Sequence, residues 1–243
     1  MKFLLSTLLL AATAHAALFN VDDCGKTKTC QILKKDGCAP PCLAASFKIV
    51  DDTHIEWELF GPIINANGGA FVAVGVSDTN MMGDDKVVEC SWLVGEKDFN
   101  VKQSYNKPKT GTDSPTNIRI DKEAANRPKM VVQSAMTKAD GNVYCKATVL
   151  VDGSLGTDLY YKLTKGEKKF LLLACGTADD KGLQSHMGFP HSKPTDSVVM
   201  DNPSNGMTTS IPIDTTTKST SSNLTLLTIL PLAAILYFSS FFH

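Results

Sequence analysis

The chain has 243 residues and a formal net charge of −1, a length that suits one domain with extensions at its ends. Because Lys and Arg nearly balance Asp and Glu, the charge does not favour a nucleic-acid partner. The five histidines are too few for a multi-histidine copper centre. The HExxH motif of zinc hydrolases and the GxSxG motif of serine hydrolases are both absent from the sequence. The composition therefore argues against nucleic-acid binding and against hydrolysis.

The N-terminus has the features of a secretory signal peptide. Residues 1–16 begin with Lys2 in a short charged region, continue with an apolar run and end in Ala14-His15-Ala16, a small-x-small cleavage site. We therefore expect the mature chain to begin at Ala17 and to enter the secretory pathway.

Cysteine usage agrees with an oxidising compartment. An exported chain with seven cysteines is expected to form disulfides. Residues 17–44 form a lead-in segment with four cysteines, and the spacing does not determine how these pair. A zinc site is the less favoured alternative there, because no CxxC pair occurs. Two more cysteines fall in predicted strands and could bridge a sandwich, which leaves Cys175 as a buried free thiol. The disulfide candidates are Cys24, Cys30, Cys38, Cys42, Cys90 and Cys145.

Residues 45–199 have the pattern of short strands separated by turns. In residues 53–60 apolar and polar residues alternate, with Ile55, Trp57 and Leu59 on the buried side. Asp140-Gly141-Asn142 predicts a hairpin turn. Strands at a spacing of roughly 8–15 residues, without an amphipathic helix, predict an all-β fold, an antiparallel Ig-like β-sandwich. The strands are predicted at residues 45–50, 53–60, 71–76, 87–93, 99–104, 117–120, 130–137, 143–151, 159–163 and 168–174.

Residues 70–90 read AFVAVGVSDTNMMGDDKVVEC. The first part is apolar on both faces, which predicts a strand buried within a sheet. Met81 and Met82 then fall on a polar turn, where a thioether is available as a soft ligand for copper or haem iron. The alternative is that one of them folds back to plug the core. Asp84 and Asp85 are expected to cap the turn through backbone N–H groups, with a hard-cation site as the alternative.

The C-terminal part contains a histidine-bearing loop, a stalk and an apolar tail. The loop after Cys175 holds His186 and His191. Residues 200–223 are rich in Ser and Thr, and residues 224–243 are apolar without Lys, Arg, Asp or Glu. Such a tail is typical of a glycolipid-anchor signal or of a membrane span. We expect the chain to be held at the extracellular face of the plasma membrane.

The pattern of strand, VAVGVSD, loop, MGDD, strand and Cys90 resembles the signature of DOMON domains. The lead-in, with Cys24-Gly25-Lys26 and Lys28-x-Cys30, resembles the extracellular part of ferric-chelate-reductase-like members of that family. Family members of the haem-binding type ligate haem b with the methionine before the glycine and with a histidine after the last core strand. The resemblance therefore implies that Met82 and His186 are the axial ligands of haem iron, with Met81 as the rival for the first position.

The resemblance implies a function in one-electron transfer. Methionine and histidine would fill both axial positions of the iron, which leaves no open site for a substrate. Redox partners at the outer membrane surface would be ascorbate, a ferric chelate or a membrane cytochrome. The transmembrane cytochrome of the relatives is not expected in this chain, so it is an electron-transfer or binding module more than a complete enzyme.

Two other functions remain open from the residues. One is a haem-free sandwich that binds sugars or other ligands or acts in adhesion, and the other is a copper(I) site formed by Met81, Met82 and His186. The haem hypothesis requires the Met82 sulfur and a His186 nitrogen to lie about 4–5 Å apart, since each iron–ligand bond is about 2 Å long. Phe71, Trp92, Met136 and Phe189 are candidate walls of the haem slot.

Overall fold

The computed structural model describes residues 18–34, 41–108, 116–120, 131–151, 165–184, 186, 188–192, 194 and 196–203. A short 3-10 helix, Val21–Asp23, precedes the strands. Within the described ranges the strands are β1 (Thr29–Leu33), β2 (Leu43–Ile49), β3 (His54–Pro62), β4 (Ala70–Ser77), β5 (Asp85–Trp92), β6 (Asn100–Asn106), β7 (Asn117–Arg119), β8 (Val131–Ala139), β9 (Asn142–Leu150), β10 (Lys168–Thr177) and β11 (Val198–Val199).

The strands form two antiparallel sheets that pack face to face. The first sheet has the order β1-β2-β3-β9-β8, and the second has the order β11-β10-β4-β5-β6-β7. The hairpin between β8 and β9 turns at Asp140 and Gly141, both with positive φ, as expected for a two-residue turn of this type. The predicted all-β antiparallel sandwich is confirmed.

The alternation of side chains places the core between the sheets. On β3, Ile55, Trp57 and Leu59 are almost fully buried in the main core, as predicted. β4 is buried along its whole length because it lies between β10 and β5 and is covered on both faces. The prediction of a strand buried within a sheet is therefore confirmed.

Disulfides connect the lead-in and the two sheets. Cys90 on β5 is bonded to Cys145 on β9, which links the second sheet to the first, as predicted. Cys24 is bonded to Cys30, and Cys42 is also disulfide-bonded. Cys175 is a buried free thiol, again as predicted.

The sandwich includes residues that the sequence analysis placed outside the strands. The lead-in contributes β1, an edge strand that pairs with β2, and Phe19, Cys30 and Ile32 form a small apolar cluster there. At the other end Met200 is fully buried, and its N–H donates to the Glu167 carbonyl. The packed body thus extends to residues 200–203, which the sequence analysis assigned to the stalk.

Several predicted segments lie outside the described residues. These are residues 1–16, the strand predicted at 159–163, most of the stalk and residues 224–243; Cys38 also lies there. Among the residues that the structure describes, no helix is both long enough and apolar enough to cross a membrane.

We expect the double variant Cys90→Ala/Cys145→Ala to lose about 4 kcal/mol of unfolding free energy, from the entropy of the loop that the disulfide closes. The two cysteines are 55 residues apart in the sequence. Chemical denaturation of the oxidised proteins measures the loss. Cys175→Ala is the matched control, since it removes a buried sulfur without opening a loop, and it should cost about 1 kcal/mol. Equal losses in the two proteins would contradict the cross-link argument.

Candidate functional site

The second sheet has a face that is turned away from the first sheet, here called the outer face. Val72, Val74 and Val76 of β4 enter the main core, so the alternate residues Phe71, Ala73 and Gly75 point to the outer face. Phe71 and Ala73 are nonetheless buried there, in a second apolar cluster. The other members of that cluster are Val87, Leu93 and Ala178, with Ala174 and Leu183 packed against it.

Residues 78–84 form the loop with the two methionines. Its first residue, Asp78, is ion-paired with Lys169 at 2.6 Å. At its end the Gly83 N–H donates to Asp85 Oδ2 at 2.7 Å, so the predicted cap of the turn is present for Asp85. At the tip Met81 is 70% exposed and Met82 41% exposed. The alternative in which a methionine plugs the core is therefore wrong.

The end of the methionine loop lies on the outer face. A Cβ atom placed on Gly75 would lie 3.5 Å from Asp85 Cβ, so the Asp85 side chain lies on that side of the sheet. Gly83 bonds to this carboxylate, and Met82 is its neighbour in the chain. Asp84 is held by backbone and side chain, since its N–H donates to the Asn106 carbonyl and its Oδ1 accepts from the Tyr105 hydroxyl.

His186 also lies against the outer face. Just after β10 the backbone lies close to Gly69, and the Ala178 N–H donates to the Gly69 carbonyl at 2.7 Å. A Cβ atom on Gly176 would lie 2.9 Å from the Phe71 ring and 3.5 Å from His186 Cα. His186 is half-buried, and its Nδ1 is buried without a hydrogen-bond partner. Burial and the neighbouring His191 lower the pKa of His186.

The two loops leave the sheet at opposite ends of one strand pair but lie over the same face. Gly75 pairs with Leu172, and from Leu172 to Gly176 the strand rises about 13 Å at 3.3 Å per residue. The outer-face residues between these positions are Ala73 and Ala174, which pair with each other. The Met82 loop and His186 thus meet the same face about 13 Å apart along the strand, and the partly exposed Met82 thioether is not enclosed.

His191 lies beside His186, which the sequence analysis did not predict. The two ring centres are 4.9 Å apart, with an angle of 45° between the planes. His191 Nδ1 lies 2.9 Å from the Phe189 carbonyl oxygen. The spacing H-x4-H in a loop was the only sequence signal, and without a helix that spacing does not fix the distance between two rings.

Of the predicted walls of the haem slot, one lies next to the candidate site. Phe71 lies on the outer face beside Gly176. Trp92, Met136 and Phe189 pack against the main core.

A buried carboxyl group lies on the same face. Glu89 pairs with Ala73 across the strands and is fully buried. Its carboxyl group accepts hydrogen bonds from Ser91 Oγ at 2.8 Å and Ser104 Oγ at 2.6 Å, and Arg119 Nε lies 3.9 Å away. Burial raises the pKa of Glu89, although these hydrogen bonds and the Arg119 charge act in the opposite direction.

The described part of the chain contains no cluster of three or more His, Cys, Asp or Glu side chains placed to hold a metal ion. A separate polar cleft lies on the first sheet. It is lined by Asp23, Thr27, Lys28, Ser46, Phe47, Lys48, Glu56, Glu58 and Lys146.

Comparison with known proteins found one informative similarity. No family model matches the chain. The human DOMON domain-containing protein FRRS1L is 40% identical over 76 residues, which are 30% of this chain. This similarity supports a DOMON domain in the chain. The match spans about a quarter of the relative, 24% of its length.

The fold agrees with this similarity, and the ligand is a separate question. The two-sheet sandwich with the Cys90–Cys145 bond agrees with the resemblance. Of the implied ligands, His186 lies in a partly buried position with an unpartnered nitrogen, whereas Met82 lies in an exposed loop.

We expect Gly69→Ala to disturb the exit of β10 towards His186. Gly69 has φ of +75°, and an added Cβ would lie 2.2 Å from the Ala178 carbonyl oxygen, so the backbone of the exit must move. The matched control is Gly95→Ala, with φ of +90° and no atom within 4 Å. Thermal or chemical denaturation should show that Gly69→Ala loses about 1–3 kcal/mol more than Gly95→Ala. Equal losses of unfolding free energy in the two variants would mean that the cost comes from the positive φ alone and not from the contact with Ala178.

The raised pKa of Glu89 predicts a pH-dependent stability. A buried acid that keeps its proton in the folded state contributes stability that is complete below its ordinary pKa of 4.5. That contribution is lost as the pH rises through the raised folded pKa. The wild-type unfolding free energy should therefore fall with pH above about 4.5, and Glu89→Gln should flatten this fall. Denaturation curves across pH check it, and an unchanged slope in the variant would disprove the assignment to Glu89.

Proposed function

We propose that this DOMON module binds haem b through Met82 and His186 and transfers single electrons at the outer surface of the cell. The observation that supports this most directly is that both loops contact one face of the second sheet, the Met82 loop through Gly83 and Asp85 and His186 beside Gly176. Thioether and imidazole are the donor pair of haem proteins that carry electrons.

The described residues suit haem on three grounds. The outer face between the loops presents the small residues Ala73 and Ala174, which would let a flat macrocycle approach the sheet closely once the segment that covers them shifts. His186 has a buried nitrogen without a partner, which a ligand interaction would explain. Met82 is less exposed than Met81, which favours Met82 as the second ligand.

The residues of the chain would perform distinct tasks. His186 and Met82 would hold the iron, and the Asp78–Lys169 ion pair and the Gly83–Asp85 hydrogen bond would fix the two ends of the methionine loop. Haem with both axial positions filled supplies one-electron chemistry without an open coordination site. The partial exposure of Met82 would leave this side of the site accessible to a redox partner.

The proposal places the module outside the cell. The disulfides are of the kind that persists in oxidising compartments, and the signal peptide and apolar tail expected from the sequence would deliver and anchor the chain at the membrane. Ascorbate, a ferric chelate or a membrane cytochrome are the proposed redox partners.

The second candidate function is a haem-free sandwich that binds a polar ligand such as a sugar or acts in adhesion. The polar cleft on the first sheet favours it, because it brings Ser46, Lys28 and Lys146 together with acidic side chains. Lys28 is already ion-paired with Glu58 at 2.5 Å, and Lys146 with Glu56 at 2.8 Å, so a ligand would have to compete with these pairs. This competition makes the cleft the weaker candidate.

Visible absorption spectra test the haem proposal. The full chain, produced in a eukaryotic host and supplied with haemin, should show sharp α and β bands and a shifted Soret band after reduction by dithionite. Met82→Ala and His186→Ala should each abolish this six-coordinate signature, because one axial ligand is lost. The matched controls Met81→Ala and His54→Ala should retain it, since Met81 is the more exposed methionine and His54 pairs with Asp51 at the surface.

A colourless protein that does not take up haemin would refute the proposal and favour the haem-free sandwich. If Met81→Ala loses the six-coordinate spectrum and Met82→Ala retains it, Met81 and not Met82 is the axial ligand.

A further inference from the structure

The contact between His186 and His191 suggests a use of these side chains that is independent of haem. The segment that follows His186 turns back along the edge of β10. The Cys175 N–H donates to the Pro190 carbonyl at 3.2 Å, and the Ser192 N–H donates to the Leu173 carbonyl at 2.8 Å. These backbone bonds flank His191 and fix its position relative to the sheet, so the ring pair is part of the folded body.

One hydrogen bond defines the tautomer of His191. Its Nδ1 lies 2.9 Å from the Phe189 carbonyl oxygen, and a carbonyl oxygen only accepts hydrogen bonds. Nδ1 therefore donates the proton, and in the neutral ring this leaves the lone pair on Nε2. A histidine ligand of a metal is commonly oriented in this way, with the second ring nitrogen bonded to a backbone carbonyl.

His186 supplies the complementary nitrogen. Its Nδ1 is buried and has no hydrogen-bond partner, and leaving a buried polar atom without a partner is energetically unfavourable. A bond to a ligand would remove this cost. The His191 ring centre lies 4.9 Å from that of His186, so a ligand shared by the two imidazoles would satisfy the nitrogen.

The distance between the rings suits a single metal ion. A metal about 2.0 Å from each ligating nitrogen lies about 3.2 Å from each imidazole centre. Two ring centres 4.9 Å apart then subtend about 100° at the metal, close to the tetrahedral angle of about 109° that zinc adopts in proteins.

We propose that in the haem-free chain His186 Nδ1 and His191 Nε2 bind one divalent transition-metal ion of the zinc and copper class, with water completing the coordination. Imidazole is a suitable donor for both metals. The proposal does not depend on haem binding.

Copper(II) is the best probe, because among divalent first-row metals it binds nitrogen sites most tightly and because its electron paramagnetic resonance spectrum reports the bound nitrogens. The untagged full chain, freed of metal with a chelator and kept without haem, would be titrated with Cu²⁺. We expect one ion per chain in this site, with hyperfine structure from two imidazole nitrogens.

The variants separate ligation from structure. His191→Asn keeps a side-chain N–H that can reach the Phe189 carbonyl but lacks Nε2, and His191→Ala removes both. Both variants, and His186→Ala, should weaken Cu²⁺ binding at least tenfold and remove the two-nitrogen signal. His54→Ala is the matched control and should bind as the wild type does. Wild-type binding by His191→Asn, or a wild-type spectrum without two imidazole nitrogens, would overturn the proposal.

Failure here is distinguishable from failure of the haem proposal. His191→Asn should still give the haem spectrum, because His191 is not a proposed haem ligand. Haem uptake without copper binding would refute only the metal site, and copper binding by a chain that rejects haemin would refute only the haem site.

Discussion

The burial of β4 on both faces is the constraint on which the rest of the structure depends. A strand in the middle of a sheet with apolar residues on both sides must be covered twice. Val72, Val74 and Val76 complete the core between the sheets, where the Cys90–Cys145 bond holds the layers together. Phe71 and Ala73 require a second cover on the outer face, and this cover includes the residues that follow β10.

The candidate site follows from this second cover. Ala178 and Leu183 pack against the outer-face cluster, and the chain must therefore fold back over the sheet after β10 ends. That return places His186 against Gly176 and His191 against Ala174. Small residues at these positions let the backbone approach closely, since an added Cβ on Gly176 would collide with Phe71. The histidines lie where they do because an apolar surface had to be covered.

The sequence predicted the features that depend on local residue pattern. It missed those that depend on contacts between segments distant in the chain. Alternation on β3 and two-sided apolarity on β4 gave the strands and their burial correctly, because a side-chain period of two residues is a local property. β1 was not predicted, because the Gly, Lys and Pro content of the lead-in is typical of a loop. Residues 29–33 nevertheless form a strand through pairing with β2.

The same distinction applies to the site. Glu89 reads as a surface residue, but it pairs with Ala73 on a face that is covered. The two-sided apolarity of β4 was the available signal, because it implies that neighbouring strands are covered on both sides too. The pairing of His186 with His191 depends on the register of residues 189–192 along β10, which no spacing rule determines for a loop.

The two proposals for His186 rest on one physical fact, the buried nitrogen without a partner. The hydrogen bonds around it belong to the backbone of the neighbouring residues, from Gln184 to Ser192, so the ring is positioned by contacts other than its own. A polar group held in this way is desolvated before any ligand arrives, and that cost is met by the stability of the sandwich. A ligand that bonds to His186 then gains the interaction without having to order the loop. Preorganisation of this kind would favour the binding of haem iron or of a small metal ion alike, because in either case the imidazole is already positioned.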